Sequence, residues 1–196
     1  MAEIITKKQL GKLQVIKYDF IRDELATGYI FFASGSYRFS RIIQRLTKSV
    51  WSHVGIIYRD VELKRIMVLE AEPSVGIRLI PLSKYLKDYQ GTRKAYRGQV
   101  VIAKLNFDLP HENMNNAISF GLDELTRPYD NWEIIRIFLR IIFKIGKRER
   151  NRNYICSELV RDAFAKAGVI FRRFDTYISP QEIWKDKRVE FKYRIL

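Results

Sequence analysis

The chain has 196 residues, 47% hydrophobic and 30% charged, with 10 Gly and 5 Pro. That balance suits one globular domain with a sizeable core and excludes collagen-like, linker-dominated and disordered chains. One Cys excludes an intramolecular disulfide framework and a zinc site of several thiolates, and two His leave little for a multi-histidine centre. The 36 Lys plus Arg against 22 Asp plus Glu give a net charge of +14. Such a surplus attracts something anionic: nucleic acid, an acidic lipid surface or an acidic partner. Residues 1–20, MAEIITKKQLGKLQVIKYDF, lack the continuous apolar stretch of a signal peptide. No run of about 18 apolar residues spans a bilayer. The expected location is the cytoplasm, at most peripheral to a membrane.

In chain order, residues 13–20 and 27–33 read as strands, being short and rich in aromatic and β-branched residues. IRDELA between them reads as one helical turn or a loop. Residues 36–50 put Phe39, Ile42, Ile43, Leu46 and Val50 on one helical stripe with basic residues opposite. Residues 54–59 and 66–72 form a predicted hairpin. Residues 76–82 add a strand whose Pro81 marks an edge or an end. A short helix (SKYLKDY), a strand at 99–107 and a helix at 111–125 follow. Residues 132–146 are strongly apolar, and 154–168 form a helix stopping at Gly168. The last helix, 178–184, has Ser179 as N-cap and Pro180 in its first turn, and VEFKYRIL closes as a strand. No repeat or linker divides the chain. Helices flanking mostly sequential strands predict an α+β fold with a largely antiparallel sheet.

Three residues carry candidate chemistry. Cys156, in YICSELV, starts a predicted helix, where the macrodipole and unpaired N–H groups favour thiolate and can hold an oxyanion. The bland alternative is a small buried hydrophobe. His53, in SHVGI, opens a strand, where an imidazole can exchange protons near neutral pH or simply cap a turn. Glu70, in VLEAE, shares a face with Val68 on an otherwise apolar strand, so its carboxylate needs a partner. Glu72 is the alternative on the same face, and a solvated face remains open for either. His111, after Pro110 at a helix start, is the weaker base candidate. Nucleophile, base and orienter can occur in any chain order.

TGYIFFASGSYRFSRIIQRLTKSVWSHVGIIYR, VLEAEPSVGIRLIPLSKYL, RPYDNW, YICSELV and ISPQEIW together resemble the permuted papain-like hydrolases of the NlpC superfamily, the YiiX-like group. The resemblance covers residues 27–184. It implies a circularly permuted papain-like (NlpC-type) fold, with a mostly antiparallel sheet or small barrel packed against helices. It implies Cys156 as nucleophile, His53 as base and Glu70 as the residue orienting His53. It also implies Tyr129, in RPYD, as an oxyanion-binding tyrosine beside the thiol; otherwise Tyr129 is a turn residue after Pro128. Ser52 and Ser157 read as local hydrogen-bonders. One departure stands out: relatives commonly carry an acid after the first-motif Gly, whereas Gly28 is followed here by Tyr29.

Residues 1–196 are therefore expected to form a single permuted papain-like domain with a basic apolar helical elaboration at 131–153. That segment reads as a core helix with a solvated basic loop, or as a helix in an anionic membrane interface. Nucleic acid is the weakest partner, because no aromatics interleave with its basic run. The expected function is cysteine-dependent hydrolysis of an amide, of peptidoglycan or other peptide type, through a thioester and with no metal or organic cofactor. Lipid acyl hydrolysis or transfer at an anionic membrane surface is the alternative. A catalytically silent binding module on the same fold is the third reading, motivated by Tyr29 and the basic segment. Oligomeric state is not read from the sequence.

Overall fold

The computed structural model describes residues 5–72, 75–126, 155–171 and 178–196. Six strands form one antiparallel sheet: β1 (Ile30–Gly35), β2 (His53–Asp60), β3 (Arg65–Glu72), β4 (Gly76–Pro81), β5 (Gly98–Leu105) and β6 (Val189–Arg194). Their spatial order is β4-β3-β2-β1-β5-β6, so the sheet is open and the barrel alternative is not adopted. Pro81 is the last residue of the edge strand β4, where a missing N–H breaks no ladder.

Among the described residues the α-helices are α1 (Lys7–Lys12), α2 (Tyr18–Ile21), α3 (Arg38–Leu46), α4 (Leu82–Lys87), α5 (His111–Asp123), α6 (Cys156–Lys166) and α7 (Pro180–Trp184). Ser179 caps α7 with a hydroxyl bond to the Glu182 N–H, and Pro180 takes the first helical position. Gly168 follows the last turn of α6 at φ +85°, the left-handed geometry that a Cβ disfavours.

Residues 13–20 do not form a strand. Their second half winds into α2, and Val15 makes only an isolated parallel bridge to Arg194. The alternation is not carried through: Leu13 packs against one core layer and Ile16 and Tyr18 against the other, while Val15 and Phe20 are 49% and 76% exposed. The Arg194 side chain instead gathers the carbonyls of Leu10, Gly11 and Leu13 at the sheet's far edge. IRDELA contains a single 3₁₀ turn, Arg22–Glu24.

Period-2 alternation splits the strands between two buried layers. Ile30, Phe32, Val54, Ile56, Leu69 and Ala71 pack with residues of α5, α6 and α7. Phe31, Ala33, Ile57, Val68, Val100 and Ile102 face the other way, against Leu82 and Tyr85 of α4, with Tyr89 and Tyr96. Both faces of the central strands are thus apolar, and any carboxylate there must be neutralised locally.

Candidate active site

His53 is the first residue of β2 and pairs across the ladder with Ala33 of β1. Glu70 lies two residues after Val68 on β3, on that same side of the sheet, and is completely buried. Register brings Arg78 of β4 directly opposite Glu70. The Glu70 carboxylate accepts from His53 Nε2 at 2.7 Å, from Arg78 Nε at 2.8 Å and from the Tyr85 hydroxyl at 2.5 Å. One buried anion is therefore held by two cationic side chains and a phenol, which offsets the several kcal/mol that a lone buried charge costs.

Gly55 makes this contact sterically possible. A Cβ built there would stand 2.9 Å from the Leu69 carbonyl and from Val68 Cγ1, and 3.3 Å from Glu70 Cβ. Space, not a left-handed φ, requires the glycine. Gly55→Ala is expected to destabilise the fold by about 1–3 kcal/mol through overpacking. It should also slow alkylation of Cys156 as β3 shifts and the His53–Glu70 contact loosens. Thermal unfolding and iodoacetamide kinetics measure the two effects.

Cys156 is the first residue of α6 and is 6% exposed. Ile155 is its N-cap, and the Glu158 and Leu159 N–H groups both return to the Ile155 carbonyl. The Cys156 and Ser157 N–H groups head the helix and have no partner among the described residues. They are donors placed where an oxyanion beside the sulfur would form. The Cys156 thiol and the His53 imidazole line the same pocket, and the thiol is among the groups that raise the imidazole pKa. Glu70 occupies Nε2, so Nδ1 is the nitrogen left for sulfur.

Burial alone would lower the His53 pKa. The Glu70 carboxylate reverses this, and hydrogen bonds to Cys156 and Glu70 add to the effect, so it is pushed up to about 10. Burial would likewise raise Glu70, but His53, Arg78 and Tyr85 together hold it below the usual carboxylate range. Tyr85 moves well above its ordinary value, through burial and the adjacent Glu70 charge, and stays a neutral donor. An imidazolium with a fixed carboxylate on one side and a thiol on the other can stabilise a thiolate, then return a proton.

The remaining sequence candidates separate cleanly. Glu72, 9% exposed, lines the pocket beside Cys156, while Glu70 rather than Glu72 takes the imidazole. His111 is exposed against Asn115 and does not line that pocket. Ser52 accepts from the Gly35 N–H and Ser157 donates to the Ile178 carbonyl, so both bond locally. Tyr129 and the 131–153 segment lie outside the described residues. The Tyr29 carbonyl accepts from the N–H of Ile57, four residues along β2 from His53. That is about 13 Å away at strand rise, so the departure at this position does not touch the site.

Arg78 and Tyr85 are site residues that sequence reasoning missed. The first had a findable signal: counting back across the β3–β4 turn sets it against Glu70. The second has none at short range, because α4 must first fold over the sheet.

A sheet bearing imidazole and carboxylate, with a thiol at the head of a helix that comes later in the chain, defines a papain-like site in permuted order. Residues 24–190 match the family model described as permuted papain-like amidase enzyme, YaeF/YiiX, C92 family, and the chain belongs to that family. Among solved structures it is similar to the metalloprotein yiiX from Escherichia coli O157:H7, with TM-score 0.63 and 18% identity over 86% of this chain and 97% of that one. At that identity the likeness establishes the fold. No curated protein matches the sequence. Among the described residues of this chain, no group of three His, Cys, Asp or Glu gathers as a metal site, and no helix is long and apolar enough to cross a membrane.

Proposed function

We propose that this protein is a cysteine amidase that works through a thioester, with Cys156 as nucleophile, His53 as acid–base and Glu70 as the residue that orients and charges His53. The observation that carries this is the coupled row of Cys156, His53 and Glu70, braced from behind by Arg78 and Tyr85. The thiolate attacks the amide carbonyl, and the N–H groups at the head of α6 receive the oxyanion. Collapse of the tetrahedral intermediate breaks the C–N bond as His53 gives its proton to the departing amine. Water, deprotonated by the now neutral His53, then attacks the thioester and releases the acid and thiolate. Every step uses side chains, backbone and water alone, and Tyr129 is an additional oxyanion donor in this scheme. A lone thiol nucleophile suits a reducing compartment such as the cytoplasm.

The pocket beside Cys156 has a volume of about 240 Å³ and is walled chiefly by Tyr37, Phe39, Ile43, Tyr89, Tyr96 and Ile155. It is smaller than the ~300–1,000 Å³ common for drug-sized ligands. Such walls fit an uncharged apolar group on the acyl side of the scissile bond, in a peptide amide of peptidoglycan or other type. The same apolar lining favours, as a second reading, hydrolysis or transfer of a lipid acyl group.

Iodoacetamide labelling tests the thiol directly. Cys156 should alkylate at least ~10-fold faster than free cysteine at pH 6, because the adjacent imidazolium and the head of α6 activate its sulfur. His53→Ala should abolish that advantage. Labelling at the free-cysteine rate, indifferent to His53, would leave only a binding module on this fold.

A further inference from the structure

The site opens beside α3, whose segment 36–50, SYRFSRIIQRLTKSV, holds four cations and no acid. Arg38, Arg41, Arg45 and Lys48 are all exposed, and no carboxylate pairs with them among the described residues. At 100° per residue, Arg38, Arg41 and Arg45 form one outward ridge within about 60° of arc. Next round the helix come Ile42, 50% exposed, and the half-buried Leu46. Further round, Phe39 and Ile43 turn into the pocket that holds Cys156. Charge, apolar edge and pocket wall thus succeed one another around a single helix.

A second basic segment meets this ridge. Residues 92–98, TRKAYRG, contain three cations and no acid, and they lie between or beside the pocket residues Gln90 and Tyr96. Arg93, Lys94 and Arg97 are exposed. The two segments are tied together: the Arg97 N–H donates to the Tyr37 hydroxyl, and the Tyr37 and Tyr96 rings stand 5.4 Å apart. Seven exposed cations therefore lie on two segments that each also contribute side chains to the wall of the pocket. The Asp88 carboxylate, which accepts from the Arg93 backbone N–H and pairs with Lys84, is the acid beside this cluster, and the remaining surplus of like charge attracts something anionic.

We propose that α3 and the 92–98 segment form a docking surface for an anionic phospholipid bilayer, with Ile42 entering the headgroup region and the pocket mouth turned toward the lipid. The assignment goes beyond the amidase reading and does not depend on catalysis. A bilayer fits better than a soluble polyanion because an apolar side chain is exposed on the edge of the cationic ridge, the pattern of an interfacial helix. It rests on residues other than 131–153.

Co-sedimentation of the full chain with vesicles tests this. Wild type should bind phosphatidylcholine vesicles containing 30% phosphatidylglycerol and not phosphatidylcholine alone. Arg38→Gln/Arg41→Gln/Arg45→Gln should weaken binding about 100-fold, at about 5-fold per cation near an anionic surface. Lys7→Gln/Lys8→Gln/Lys12→Gln on α1 removes the same charge elsewhere and should weaken it less than ~5-fold. Ile42→Ser should weaken vesicle binding about 10-fold through lost apolar burial and leave heparin binding unchanged. Iodoacetamide labelling of Cys156 at the wild-type rate shows that the α3 variants fold. Cys156→Ala should bind vesicles like wild type, so loss of the thiol chemistry and loss of docking are read apart. Equal weakening by the α1 and α3 triples, or no preference for anionic vesicles, overturns the proposal. So does indifference to Ile42→Ser, which assigns the surface to a soluble polyanion.

Discussion

Cys156→Ala and His53→Ala should each lower amidase turnover by about 10⁴-fold or more, and the double variant should be no worse than the slower single one. The scale is that of nucleophile–base units in other hydrolases, in which either loss disables the unit. Non-additivity is the informative part. If His53 acts only by ionising Cys156 and protonating the leaving amine, its removal has nothing further to take from an enzyme that lacks the thiol. The stability effects should diverge. Cys156 loses one sulfur at a helix head, whereas removing His53 strips a cationic partner from the buried Glu70. His53→Ala should therefore unfold at lower temperature than Cys156→Ala, with an equally dead site. Steady-state assay on an N-acyl amide and calorimetry on the same samples separate the effects. Multiplying losses in the double variant would mean that the two side chains act independently and would overturn the nucleophile–base assignment.

Much of this site was legible because its chemistry sits at element boundaries that short sequence signals mark. SHVGI begins a strand after a polar turn, YICSELV begins an amphipathic helix, and ISPQEIW carries its own cap. Alternation placed Glu70 with Val68, and β3 holds them on one face. What escaped depends on contacts between distant segments. Tyr85 reaches Glu70 only once α4 lies across the sheet, and the ring cluster of Tyr37, Tyr89 and Tyr96 joins residues 37 and 96 through tertiary packing. Residues 13–20 mislead for a related reason. Their composition is that of a strand, but only Val15 bridges to β6, and Leu13, Ile16 and Tyr18 are half-buried by packing against the core layers without a ladder. The stripe on residues 36–50 reads as apolar against basic. The fold turns only part of it inward: Ile43 is buried while Ile42 stays half exposed. Periodicity gives a face, and neighbours decide how wide a face is covered.

Glu70→Gln keeps the shape of the side chain and removes its charge, so it isolates what the carboxylate does. The Arg78 guanidinium and the His53 ring lose their shared counter-ion inside the sheet. Breaking one member of a buried ionic cluster commonly costs about 3–5 kcal/mol. Its pH dependence follows from the two displaced groups. The His53 pKa is raised from 6.5 to about 10, so its contribution is complete below pH 6.5 and fades as pH climbs toward 10. The Glu70 pKa is lowered from 4.5, so its contribution is complete above pH 4.5 and fades as pH falls through that lower value. Between about pH 4.5 and 6.5 both act together. The stability gap between wild type and Glu70→Gln, measured by urea unfolding, should be widest there and narrow toward pH 10. It should not close, because Arg78 remains charged and uncompensated in the variant throughout. The His53 ring, assigned among two histidines by its absence in His53→Ala, should titrate at least ~2 units lower in Glu70→Gln by NMR. Turnover needs the imidazolium as acid, so its alkaline limb should move down by a similar amount. A ring still titrating near pH 10 without the carboxylate would show that Glu70 orients His53 but does not set its charge.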